Sequence, residues 1–510
     1  MRLPLLLAAL GLSAGIAAAA DKPDSKSAKK DSTETPVVTH HQIRAGGKTL
    51  KYTVTTGKMP LRNEAGDTEA EIFFMAYTLD GAGTGKGTAS PSSRPLMFSF
   101  NGGPGSSSVW LHLGALGPKR VKMRTDGAMP SPPYQLVDNP DTWLDQTDLV
   151  FIDPVGTGYS RASKPELGKK YWGVQGDLES VGEFIRLYLS RYRRWASPLF
   201  LVGESYGTTR AAGLSGYLVD RGIAFNGIVL VSSILNFETA DFTRGNELPY
   251  VLYLPTYTAT AWYHKKLPAD LQGRPLEPTL REAEAWASNQ YASALAKGSR
   301  LTDTERGAIE EQLSRFTGLD RRYVQLSNLR VDIQHFCKEL LRDERRTVGR
   351  LDSRLKGIDD ESAAAETPDF DPSLAAIRPP YTAMFNQYVR AELDYKTDLT
   401  YHILGGGIGP WDWGTGGREG FPDVSGALRA AFSRNPDMKL FVASGHYDLA
   451  TPYYATAYTL DHLGLEPAER GRVTTREYEA GHMMYIHEAE LAKLKKDVSE
   501  FMRQALEPAK

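Results

Sequence analysis

Five short apolar runs, at 95–100, 148–153, 198–202, 226–232 and 439–444, with a further strand-like stretch at 473–479, limit how this chain can fold. The first leads into Asn101-Gly102-Gly103-Pro104-Gly105 and the second into Pro154-Val155-Gly156-Thr157-Gly158, both glycine-bearing turns. Helical periodicity follows at 177–192 and again at 206–220, where it stops at Gly222. Strands this short and apolar are buried on both faces. Their alternation with helices predicts an α/β architecture, a mostly parallel central sheet flanked by helices. Ahead of them, 51–55 and 71–77 read as antiparallel strands around a turn at 63–66. The rhythm breaks between 237 and 378, where 279–297, 303–316 and 332–346 are helical and charged and 359–372 is a loop. The expected organisation is therefore one core in two parts, 40–236 and 379–510, with a helical cap inserted at 237–378.

The N-terminus is different material. Met1-Arg2 precedes an apolar run at 3–16 and the small residues Ala17-Ala18-Ala19-Ala20, the pattern of a signal peptide over 1–20. It predicts an exported protein, periplasmic or secreted. Residues 21–39 are polar and rich in Lys, Ser and Asp, and predict a disordered leader. No later run reaches the ~20 apolar residues of a bilayer span, so no stable membrane insertion is expected after signal cleavage. Lys and Arg number 60 against 62 Asp and Glu, a net charge of -2 that gives no electrostatic case for nucleic acid. Cys337 is the single cysteine, which excludes an intramolecular disulfide and any site with several Cys ligands. The glycine-rich stretch 83–88 fails as a phosphate loop, because Gly87 follows Lys86 where Ser or Thr is needed.

The chemistry starts from Gly203-Glu204-Ser205-Tyr206-Gly207, a G-x-S-x-G between an apolar run and a helical one. That context makes Ser205 a candidate nucleophile on a tight strand-to-helix turn. A serine nucleophile needs a base and a group to orient it. Asp448 follows the run ending at 444, and His482 follows the run ending at 479, so both fall where loops leave strand ends. Asp448 is the expected orienter and His482 the expected general base. His446 sits too close along the chain to Asp448 to be its partner, and neither His446/Asp448 nor His482/His487 has metal-ligand spacing. Acyl transfer also needs donors for the oxyanion. The Gly103 N–H, on its tight turn, and the Tyr206 N–H, just after the nucleophile, are the expected pair.

In chain order, NGGPGSSS at 101–108, DPVGTGYS at 153–160, GESY at 203–206, the Asp448 loop and GHM at 481–483 resemble the serine carboxypeptidase family. The resemblance covers roughly 95–233 and 441–485 and suggests a bacterial-type exported member. It implies an α/β-hydrolase fold, no metal or other cofactor, and removal of C-terminal residues from peptides. It also implies that Asn101 and Glu204 hold the substrate's C-terminal carboxylate. A Glu204 facing that carboxylate is expected to be the neutral acid, since burial and like charge both favour protonation. Two positions depart from the family: Ala115 stands where a second Glu is usual, and Ser106 where a Cys is common. The expected partner is a peptide or small acyl substrate. The alternatives are a related serine hydrolase or acyltransferase acting on esters, amides or peptide N-termini, and a catalytically silent binding protein of the envelope.

Overall fold

The apolar runs pair as their burial demands. In the computed structural model, which describes residues 35–81, 93–360, 362–414 and 420–507, the main strands are β1 (Val37–Ala45), β2 (Lys48–Arg62), β3 (Thr68–Leu79), β4 (Leu96–Phe100), β5 (Asp148–Ile152), β6 (Leu199–Ser205), β7 (Gly227–Ser233), β8 (Lys439–Gly445) and β9 (Val473–Tyr478). They lie in the order β1-β2-β3-β5-β4-β6-β7-β8-β9, with the short strand Arg161–Ala162 against β3. From β5 to β9 all neighbours are parallel, while β1, β2 and β3 form an antiparallel edge. Every residue of β4, β5 and β7 is buried, as expected of strands covered on both faces. The order reverses around β4, whose neighbours are β5 and β6, and such a switch point opens a crevice at the carboxyl ends of the strands.

The helices include α1 (Val174–Arg191), α2 (Tyr206–Val219), α3 (Leu248–Tyr263), α4 (Pro372–Ala391), α5 (Ser425–Arg434) and α6 (Glu488–Leu506). The two faces of the sheet carry separate apolar clusters. One, with Phe74, Phe98, Phe184 and Leu214, covers the side of α1, α2 and α5. The other, with Phe151, Tyr388, Phe441 and Phe501, covers the side of α4 and α6. Between 237 and 378 the described chain is largely helical, with one short hairpin pairing Thr347–Val348 and Lys356–Gly357. It builds a third cluster around Trp286, Phe316 and Phe336, the last stacked on Tyr257 at 4.0 Å between ring centroids.

Several expected boundaries move. Residues 37–39, expected in the leader, begin β1, whose inward positions Thr39 and His41 are polar enough to hide the alternation. The boundary expected at 378 falls inside α4, which runs on through Pro379 and Pro380. The helix expected over 332–346 ends at Glu339. The segment 279–297 is helical but passes through a wider turn at Ala287–Tyr291. The signal peptide at 1–20, residues 21–34 of the leader and the glycine-rich 83–88 lie outside the described residues. Among the described residues, no helix is long and apolar enough to cross a membrane.

One buried ion pair ties this frame to the site. Arg210, on α2, is 1 % exposed and donates to Asp177 of α1 at 2.7 Å. Its other arm donates to the Asn101 carbonyl at 2.6 Å, fixing the turn after β4 against the helix that follows Ser205. Truncating one partner leaves the other charge buried and unpaired, which typically costs about 3–5 kcal/mol. Asp177→Ala should lower the unfolding free energy measured by urea denaturation by about that amount; a loss below about 1 kcal/mol would show that Arg210 finds other partners.

Candidate active site

Ser205 closes β6 and begins α2 with φ 60° and ψ -132°, a backbone region that L-residues seldom adopt. The strain is tolerated because the chains around it are stripped of side chains. A Cβ on Gly203 would lie 2.1 Å from the Gly207 carbonyl oxygen, and one on Gly102 would lie 2.3 Å from the Tyr206 nitrogen. The glycine-rich turn after β4 is therefore packed directly on the start of α2. Gly103 follows at φ +101°, a conformation suited to glycine. Both expected oxyanion donors thus belong to backbones in contact. The Tyr206 side chain is buried against Trp411, at 5.3 Å between ring centroids, while its backbone nitrogen lies against Gly102.

His482 comes from the loop after β9 and Asp448 from the loop after β8. The imidazole Nδ1 and Asp448 Oδ2 are 2.8 Å apart. Asp448 also accepts from the Ala450 and Thr451 amides at 2.8 and 3.0 Å and from the Thr451 hydroxyl at 2.7 Å, so both its oxygens are held. The His482 backbone is pinned as well: its N–H donates to Leu351 O and its carbonyl accepts from the Ser232 hydroxyl, both at 2.6 Å. Burial alone would push the imidazole's pKa down. The Asp448 carboxylate and Glu204 outweigh it and hold the pKa above the ordinary value. Ser205, His482, Asn101, Gly103 and Glu204 line one cleft, with Asp448 behind the imidazole. His446 lies elsewhere, facing Glu477 at 3.7 Å, with burial pushing its pKa down to about 4.

Glu204 is 3 % exposed. One oxygen accepts from Asn101 Nδ2 at 2.9 Å and the other from the Tyr485 hydroxyl at 2.5 Å. Asn101 is fixed in turn, its Oδ1 accepting from the Leu111 amide at 3.0 Å. Burial pushes the Glu204 pKa up to about 7, against the pull of His482 and of these two donors. Tyr485 was not legible as a site residue. It lies three positions beyond His482, and only that proximity could have signalled it. Its ring fills the space beside Gly114, where an added Cβ would meet it at 2.4 Å, next to Ala115. Ala115 is buried in the turn His112–Leu116 and brings no acid to the cleft. The hydroxyl of Tyr485 is what reaches the second Glu204 oxygen instead. Ser106, at the other departure, accepts from Trp110 Nε1 at 2.8 Å and braces the turn.

The crossover sheet and the strained serine between strand and helix define an α/β-hydrolase. Residues 63–253 match the family model described as serine carboxypeptidase. Among curated relatives, serine carboxypeptidase-like 13 of Arabidopsis thaliana is 29% identical over 157 residues, 29% of this chain and 34% of that protein. The pheromone-processing carboxypeptidase KEX1 of Saccharomyces cerevisiae is 34% identical over 164 residues, 29% of this chain and 20% of that protein. The chain thus spans about a third or less of the length of these relatives. A solved acetylester hydrolase from Corynebacterium glutamicum is 14% identical with a TM-score of 0.35, over 90% of this chain and 96% of that one.

The Tyr485 contact has a measurable consequence. Its hydroxyl stabilises the ionised form of Glu204, so removing it raises the pKa further. In Tyr485→Phe the Glu204 carboxyl, followed by difference infrared spectroscopy against Glu204→Gln, should titrate above the starting midpoint of about 7. A midpoint that stays or falls would mean that Tyr485 does not donate to Glu204.

Proposed function

We propose that the protein is a serine carboxypeptidase, releasing C-terminal residues from peptides through an acyl-enzyme. The observation that supports this most is that Ser205, His482 and the hydrogen-bonded Asn101–Glu204 pair line one cleft. In the proposed mechanism His482 Nε2 takes the Ser205 proton as the oxygen attacks the last peptide carbonyl. Asp448 holds the ring through Nδ1 and stabilises the imidazolium. The Gly103 and Tyr206 amides receive the oxyanion. The imidazolium then protonates the leaving amino acid, and water attacks the acyl-enzyme with His482 again as base. Asn101 and a protonated Glu204 bind the terminal carboxylate. The segment 237–378, which contributes Leu351, Leu374 and Ile377 to the cleft, acts as a cap that shapes selectivity. The segment 1–20 directs export, to a periplasmic or secreted location.

Ala115 favours a second reading. With one acid fewer than is usual in the family, the site could serve esters, amides or peptide N-termini. Digestion of an N-blocked peptide with a free C-terminus, beside its amidated twin, separates the two. Carboxypeptidase action shortens only the free acid, one residue at a time. Equal cleavage of both favours the second reading. In either case Ser205→Ala should abolish turnover, and Asp448→Asn should cost about 10⁴ in rate by leaving the imidazole in the wrong tautomer. Near-full activity in Asp448→Asn would reassign the acid.

The pH profile tests Glu204 directly. Peptide cleavage requires neutral His482, so activity rises as pH climbs through the raised imidazole pKa. It also requires neutral Glu204, so activity falls as pH climbs through about 7. The two limbs overlap, and kcat/KM for a free-acid peptide should be a narrow bell. In Glu204→Gln, which stays a donor at every pH, the alkaline limb should flatten. A limb that survives in Glu204→Gln belongs to another group and removes Glu204 from carboxylate recognition.

A further inference from the structure

One charge in the cleft has no hydrogen-bonded or ion-paired side-chain partner among the described residues. Arg350 lines the same cleft as Ser205, Glu204 and His482, and no other Arg or Lys is among the described residues lining it. The backbone of Arg350 is held on both sides. Its N–H donates to Asp371 Oδ1 at 3.0 Å, and its carbonyl accepts from the Leu449 amide at 3.0 Å, one residue beyond Asp448. The next residue, Leu351, donates to the Ser373 hydroxyl at 2.9 Å and accepts from the His482 amide. The segment is therefore clamped between the two loops that carry Asp448 and His482 and the start of α4. The guanidinium itself makes no hydrogen bond, ion pair or ring contact among the described residues. The other carboxylate lining the cleft, Asp371, is occupied elsewhere: it caps α4, accepting from the Ser373 amide at 2.9 Å and from the Ser373 hydroxyl. Glu204 has both oxygens engaged by Asn101 and Tyr485.

An arginine whose backbone is fixed and whose fork is left open is arranged to receive a planar anion, because guanidinium and carboxylate meet in paired hydrogen bonds. We propose that Arg350 is a substrate-binding residue that receives a carboxylate in the cleft, so that the preferred substrates are acyl compounds carrying a carboxylate beside the scissile bond. The carboxylate comes either from the substrate's own C-terminus or from an Asp or Glu side chain next to it. The assignment rests on the hydrolase reading of the same cleft. It supplies a charge for carboxylate binding at a site where Ala115 has removed an acid.

Binding is measured without turnover, so the two readings can fail separately. N-blocked dipeptides ending in Leu, Glu or Gln, as free acids and as amides, are titrated by calorimetry into Ser205→Ala and into Ser205→Ala combined with Arg350→Ala or Arg350→Lys. Loss of a charge-assisted hydrogen bond corresponds to roughly 10- to 100-fold in affinity. If the terminal carboxylate is the ligand, Arg350→Ala weakens all free acids by about that factor and spares the preference among Leu, Glu and Gln. If a side chain is the ligand, Arg350→Ala removes the preference of Glu over Gln in the free acids and amides alike. In both cases Arg350→Lys retains part of the effect, because the charge remains and the fork is lost. Equal weakening of all six ligands, or no weakening of any, overturns the proposal. Fluorophosphonate labelling of the wild type at Ser205 is read in parallel. Its failure overturns the hydrolase reading and leaves the binding result standing.

Discussion

Everything at this site depends on steric clearance where β6 turns into α2. Ser205 is held at positive φ, which costs on the order of 1–3 kcal/mol at a non-glycine residue. The surrounding structure enforces it, since the strand before it and the turn beside it approach at backbone contact. A Cβ on Gly207 would lie 2.8 Å from the Phe100 carbonyl oxygen, and the same absence of side chains recurs at Gly203 and Gly102. Contact at this distance puts the Asn101 side chain within reach of Glu204, and lets Arg210 bind the carbonyl of the same residue. The serine's projection, the amide donors and the Asn101–Glu204 pair therefore follow from one packing arrangement.

Within that frame the two carboxyls flanking His482 are treated differently. Asp448 accepts hydrogen bonds on both oxygens from its own loop and from the imidazole, so both are fixed. Glu204 is buried with only two donors, and burial carries it up to about 7. Environment, not residue type, separates a group that holds a ring from one that can exchange a proton with a ligand. The same cleft thus holds the Glu204 carboxyl, the His482 imidazole and the Arg350 guanidinium.

Much of this was legible because it is local. The strand runs, the G-x-S-x-G junction, the turn at Asn101 and the positions of Asp448 and His482 just past strand ends all follow from short stretches of sequence. What was hidden is what needs long-range packing. β1 alternates, but its inward Thr39 and His41 do not look apolar. α3 and α4 contain Pro255, Pro379 and Pro380, which argue against a helix until tertiary contacts override them. Tyr485 becomes a partner of Glu204 only because the His482 loop folds back over Gly114. Arg350 lies in a stretch of ordinary charged sequence, and only the clamp by Asp371 and Leu449 brings it to the cleft.

That clamp also orders events in time. The loops bearing Asp448 and His482 are each tied to the 350–351 segment, through Leu449 and the His482 amide, and both lie more than 240 residues beyond Ser205. At ribosomal rates of about 5–20 residues per second, Ser205 is synthesised on the order of 10–60 s before His482. β8 and β9, which precede the loops of Asp448 and His482, are the last strands of the sheet to be synthesised. A chain truncated before β8 would therefore carry Ser205 without the loops that hold Asp448 and His482.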